Sequence, residues 1–231
     1  MNDETTSNPT PEEGADNSLE IYDYTHLRRF IGILAISIGI ITVFLADDPR
    51  LSSISASYWY GEIINIIAAR DFFVGGLCVV SAFLLAYRGR GKLEPWLSKL
   101  ACLAAALVAF FPTAQDKCKD CGIEVHGVAA FVLFAILLVF IWGFANRAKQ
   151  KGRHGRKWFY LFFAGLLGLF LAVGAVAIVT QDHAERVLSR IIYWVEFGAL
   201  GSFGIAWLWA GYYERWDQYL QSRQKNKESH A

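Results

Sequence analysis

Residues 116–127 read DKCKDCGIEVHG, with Cys118 and Cys121 separated by two residues and His126 five positions after the second cysteine. A structural zinc takes four thiolate or imidazole ligands, and Cys118, Cys121, His126 and His183 are the set this chain offers. A Cys-x-x-Cys pair can also exchange disulfides when one thiol is acidified. In an oxidising compartment the same pair closes a tight ring that pins its loop. One Cys-x-x-Cys with scattered histidines is a weak metal signature, so a loop-pinning disulfide or free thiols is the preferred reading. Zinc ligation and redox exchange stand behind it. Which chemistry is open to the pair depends on the compartment it faces, and so on the elements around it.

Those elements are apolar. The chain has 231 residues, 55% hydrophobic and 19% charged, with a mean hydropathy of +0.31. A soluble domain has about 45–50% apolar and about 25% charged residues. The excess is gathered into six runs, about 30–46, 72–87, 97–112, 125–145, 158–180 and 191–212. Their lengths match a hydrocarbon core of about 30 Å crossed at about 1.5 Å per helical residue. Backbone in lipid must satisfy itself, so the spans are helices. Their length and lack of apolar/polar alternation exclude strands. The fold expected is all-α, a polytopic transmembrane bundle of six helices spanning 25–215. Pro112 should close the third span, and Lys99 should snorkel from its start. Residues 1–24 read as a disordered acidic tail, without the basic start and apolar core of a signal peptide. Residues 216–231 read as a polar C-terminal tail. The formal charge of +1 leaves no basic surface for nucleic acid.

Lysine and arginine placement orients the bundle. Sixteen of them, including Arg28, Arg29, Arg88, Arg147 and Arg215, fall on one side, and six, including Arg70 and Arg190, on the other. That bias puts both termini in the cytoplasm and the segments near 47–71, 113–124 and 181–190 outside, as in a bacterial inner-membrane protein. Trp96, Trp142, Trp158 and Trp194 fall near span ends, where indoles favour the interface. Small residues such as Gly32, Gly165, Gly198 and Gly204 recur within spans, which a closely packed bundle accounts for.

On the outer side the polar candidates are Ser55, Tyr58, Arg70, Asp71, His126 and Glu196. Each has a plain alternative. Asp71 can cap the second helix, Arg70 can pair with a headgroup phosphate, and His126 can sit at the water boundary. His183 can be solvated in its short loop. Glu196 is harder to dismiss, because an ionisable side chain about 9 Å into a span is costly and needs a partner. Arg70, Arg190, Tyr193 and His126 are its candidate partners.

Several of these residues also carry a resemblance. The run SISASYWYGEIINIIAARDFFVGGL, the FFPT ending at Thr113, His126 opening the fourth span and WVEFGALGSFGIAWLWAG are similar to a family of bacterial six-span integral membrane proteins of uncharacterised activity. The similarity covers about residues 25–212, and is looser to the wider DRAM/Sfk-like group. It implies the same six-span fold and points to Ser53, Ser55, Tyr58, Arg70, Asp71, His126 and Glu196. The Cys-x-x-Cys is not part of the shared pattern, which implies no family-wide metal or redox role for it.

Three functions follow. The first is an outward-facing pocket that binds or senses a lipid or small amphiphile, with no catalysis required. The second is a metal-dependent intramembrane lipid hydrolase with an activated water. Of the five histidines, His26, His154 and His230 lie on the cytoplasmic side, so Asp71, Asp182 or Glu196 would have to complete a zinc site. The third is a proton-coupled transporter working through Glu196, although inverted repeats and broken helices are not evident.

Overall fold

The computed structural model describes the backbone of residues 11–46, 53–59, 68–87, 93–113, 125–179 and 185–228. Six long helices make up nearly all of it: α1 (Pro11–Ala46), α2 (Ala69–Ala86), α3 (Leu93–Phe110), α4 (Val125–Gln150), α5 (His154–Val179) and α6 (Glu185–Glu228). A short 3-10 helix, η1 (Ser55–Trp59), precedes α2. Each long helix contains a segment long and apolar enough to cross a membrane. The chain has the build of a multi-pass membrane protein.

The helices form a ring in chain order. Each packs on its sequence neighbours, α1 closes the ring against α6, and α4 also touches α6 across the middle. With six crossings the start of α1 and the end of α6 share one end of the bundle. η1 sits at the opposite end, against α1 and α2.

Local chemistry sets several helix ends. Pro95 falls in the first turn of α3, where a missing N–H costs nothing. α3 stops at Phe110, just before Pro112. α4 ends in a Schellman motif: Gly152, at φ +68°, donates to Lys149 O and Arg153 to Ala148 O. The backbone of α1 is already helical at Pro11, well before its apolar segment opens at Thr25. At the other terminus α6 runs to Glu228, beyond the apolar run that ends near 212. Side chains of 11–24 and of the far end of α6 lie outside the described residues.

Packing inside the ring is dense. Trp207 is fully buried and touches Tyr87, Phe140, Phe144 and Phe203, so α2, α4 and α6 meet on one indole. α1 and α6 come closest at Gly32 and Gly204. A Cβ on Gly32 would lie 2.7 Å from the Gly204 carbonyl, and one on Gly204 would lie 2.9 Å from the Gly32 carbonyl. Only small residues permit backbones that close. α2 and α3 are joined by a reciprocal pair: Ser81 Oγ donates to the Cys102 carbonyl (2.9 Å), and Ser98 Oγ to the Leu84 carbonyl. The outer surface is apolar, with Phe44, Phe110, Phe162 and Val176 exposed where lipid would lie.

Charges gather at the end where α1 starts. Arg28 pairs with Glu214 and donates to Tyr87 Oη (3.1 Å), and Arg147 pairs with Glu94. Asp217 takes Arg153, Arg156 (2.9 Å) and Lys151 (3.7 Å). These bridges join α1 to α6, α3 to α4, and α5 to α6. Carboxylates other than Glu196 thus also fall on the apolar helices: Glu94 lies in α3, and Glu214 lies in the extended membrane segment of α6. Paired charges at helix ends carry less of the cost that an unpaired one would.

Candidate functional site

The opposite end of the bundle is built on Glu196. It lies on α6, and the nearest polar partner is Ser55, the first residue of η1. Ser55 donates its backbone N–H to Glu196 Oε2 (3.1 Å) and its hydroxyl to Oε1 (2.5 Å). The Ile54 backbone also acts on the carboxylate as a hydrogen-bond donor, and His126 lies within electrostatic reach of it. A carboxylate therefore caps the start of a 3-10 turn from a different helix, where free N–H groups and the local dipole favour negative charge.

The turn is fixed by its own serines and by a tryptophan. Ser53 Oγ accepts from Ala56 N–H (2.9 Å), and Ser57 N–H donates to Ile54 O (3.1 Å). Trp59 Nε1 donates to Thr113 Oγ1 (3.3 Å), tying η1 to the segment that follows α3. Tyr58 is half-buried and packs edge-on against Trp59. The residues SISASYW thus form a plug joined to α6 on one side and to the α3 end on the other.

His126 opens α4 and is only 3% exposed. Its Nδ1 lies 2.7 Å from the Phe111 carbonyl. A carbonyl only accepts, so Nδ1 carries the proton that it donates to Phe111. Nε2 is buried with no hydrogen-bond partner. Thr42 Oγ1 near the end of α1 and Ser57 Oγ in η1 are buried and unpartnered as well. Three such atoms at one end of a bundle are unusual, because buried polar groups nearly always find a partner.

Of the six polar candidates, Ser55 bonds Glu196 directly, His126 lies within electrostatic reach of that carboxylate, and Tyr58 shares the 3-10 turn with Ser55. Arg70 and Asp71 do not join this cluster. They pair with each other at 3.2 Å, with side chains 47% and 55% exposed, at the start of α2. Asp71 stands in the first turn of α2, but no side chain bonds the cap. Of the proposed partners for Glu196, His126 is near, and Tyr193 instead stacks on Phe197. Cys118, Cys121, Asp182 and His183 lie outside the described residues, as does the side chain of Arg190. Among the described residues no three metal-ligating side chains converge.

Sequence reasoning missed the Arg28–Glu214 bridge and the Asp217 cluster. The signal was present in YYERWDQ, where Glu214 and Asp217 are three apart and so share a helix face. That spacing carries meaning only if α6 continues past its apolar run.

Comparison of the chain with protein-family models, curated proteins and solved structures finds no match. Fold and site define a six-helix bundle of membrane-spanning build in which a half-buried glutamate binds the start of a 3-10 turn, with a buried histidine within electrostatic reach.

Proposed function

We propose that this is a bacterial inner-membrane protein with cytoplasmic termini, whose outward end binds or senses a lipid or small amphiphile at the Glu196–Ser55–His126 cluster. His126 Nε2 carries the reading: it is a buried ring nitrogen without a hydrogen-bond partner, at the same end as the Ser55–Glu196 contact. Leaving such a group unsatisfied costs about 1–3 kcal/mol. A headgroup hydroxyl or amine would donate to it, and Thr42 and Ser57 offer further polar contacts at the same end.

A panel of membrane lipids added to detergent-purified protein tests this. At least one hydroxyl- or amine-bearing lipid should raise the unfolding temperature of the wild type and leave His126→Ala unmoved. Equal shifts in both proteins across the whole panel would sink the reading.

A proton-coupled carrier is the second reading. It is favoured by one observation: Glu196 lies on a membrane-spanning segment within electrostatic reach of His126. In that case Glu196→Gln abolishes proton uptake into vesicles while ligand still binds. A binding protein shows no proton uptake to lose.

A further inference from the structure

Among the described residues, cations outnumber acids at the Arg28 end of the bundle. Its acids are taken: Glu214 by Arg28, Glu94 by Arg147, and Asp217 by Lys151, Arg153 and Arg156. Arg29 and Arg215 are left without a carboxylate partner among the described residues. They line an open groove of about 350 Å³ between α1 and α6, together with Tyr212, Trp216 and Tyr219. The Arg29 guanidinium lies 4.4 Å from the centre of the Tyr212 ring, and its Nε is buried with no hydrogen-bond partner. Arg223 adds a third cation over the Tyr219 ring, at 5.3 Å.

We infer that this groove holds the phosphate of an anionic phospholipid from the leaflet at that end of the bundle. Guanidinium groups bind phosphate through paired N–H donors, and Arg29 holds one in reserve. Tyr212, Trp216 and Tyr219 are exposed, amphipathic rings of the kind that settle at headgroup depth. Phe30 and Ile33 continue the exposed surface of α1 from Arg29 toward the bundle's middle, where an acyl chain would run. A free phosphate would use none of that apolar surface. A zwitterionic lipid would bring its own cation to a groove whose described lining holds no acid to receive it. The groove is at the opposite end from Glu196, so this site does not depend on the ligand proposed there.

Native mass spectrometry of the full chain, offered equal amounts of phosphatidylglycerol and phosphatidylcholine, tests the assignment. The wild type should retain phosphatidylglycerol preferentially. Arg215→Gln should lower that preference about fivefold, the effect of one arginine near an anionic surface. The double variant R29Q/R215Q should lower it further, by tenfold or more on the same scale. Arg215 is exposed, so its variant keeps the test open if loss of Arg29 disturbs folding. Lys99→Gln is the control, because Lys99 is exposed on α3 against Trp96 and does not line the groove; its preference should not change. An unchanged ratio in both arginine variants, or an equal drop in K99Q, would overturn the site. Displacement of phosphatidylglycerol by inorganic phosphate at matched concentration would overturn the lipid assignment.

Discussion

Ser55 gives both its backbone N–H and its hydroxyl to the two oxygens of Glu196, across 141 residues of chain. That contact joins η1, which leads into α2, to the start of the last span. It turns an expensive intramembrane carboxylate into the anchor of a polar plug. A hydrogen bond to a charged group contributes about 1.5–3 kcal/mol. Ser55→Ala should therefore lower stability by about that amount, and Glu196→Ala by more, because two donors of Ser55 lose their acceptor. Thermal unfolding in detergent measures both. In the double variant the two effects should fall short of their sum by about 0.5–3 kcal/mol, as directly bonded partners do. Strict additivity would mean the contact does not form.

The α1–α6 seam offers a second prediction. A methyl group on Gly32 would strike the Gly204 carbonyl and the Leu208 backbone nitrogen, both at 2.7 Å. Neither is a side chain that can swing away. Gly32→Ala should cost about 1–3 kcal/mol, the usual range for overpacking a filled interface. Gly165→Ala, where a Cβ meets nothing within 4 Å, should cost little or stabilise slightly. Comparing the two unfolding temperatures separates close approach from a general intolerance of substitution.

At the Arg28 end, breaking one side of an ion pair should cost more than removing both. Arg28 also lies over the rings of Tyr87 and Phe144 (5.6 Å each), so it is held by more than charge. Glu214→Gln leaves a buried guanidinium without its acid, and a loss of about 3–5 kcal/mol is expected. Arg28→Met with Glu214→Gln should recover part of that. Expression level and unfolding temperature give the order of the three proteins. If the double variant is the least stable, the pair stabilises by attraction rather than merely by mutual neutralisation.

Orientation can be tested separately. The proposed topology places the α4–α5 turn in the cytoplasm and Arg70–Asp71 outside. A cysteine at Lys151 should resist a membrane-impermeant maleimide in intact cells, and a cysteine at Asp71 should react, in a background lacking the four native cysteines. The reverse pattern would invert the assignment, and with it the side from which Glu196 is approached.

The six spans were legible because each is a run of apolar residues longer than any soluble helix face requires, and Pro112 marked the end of α3. Glu196 was legible for the opposite reason, as an ionisable residue inside such a run. Its partner was not. Ser55 lies 141 residues away, and no local pattern reports a contact at that separation. Arg70 and Asp71 looked like members of the same cluster, but adjacent opposite charges at a helix start satisfy each other first. The ion pairs at the Arg28 end were hidden because hydropathy falls after residue 212 while the helix continues, held by Glu214 and Asp217 rather than by apolar burial. The DKCKDCG loop that raised the metal question lies outside the described residues, apart from His126 just beyond it, which faces the Phe111 carbonyl.

The His126 end is proposed to hold an amphiphile. Native mass spectrometry of the protein as purified from its membrane, beside His126→Ala and Glu196→Gln variants with preserved unfolding temperatures, addresses it most directly. A lipid-mass adduct that survives detergent removal in the wild type and is depleted in both variants is the predicted result. Identical adduct patterns in all three proteins would contradict it.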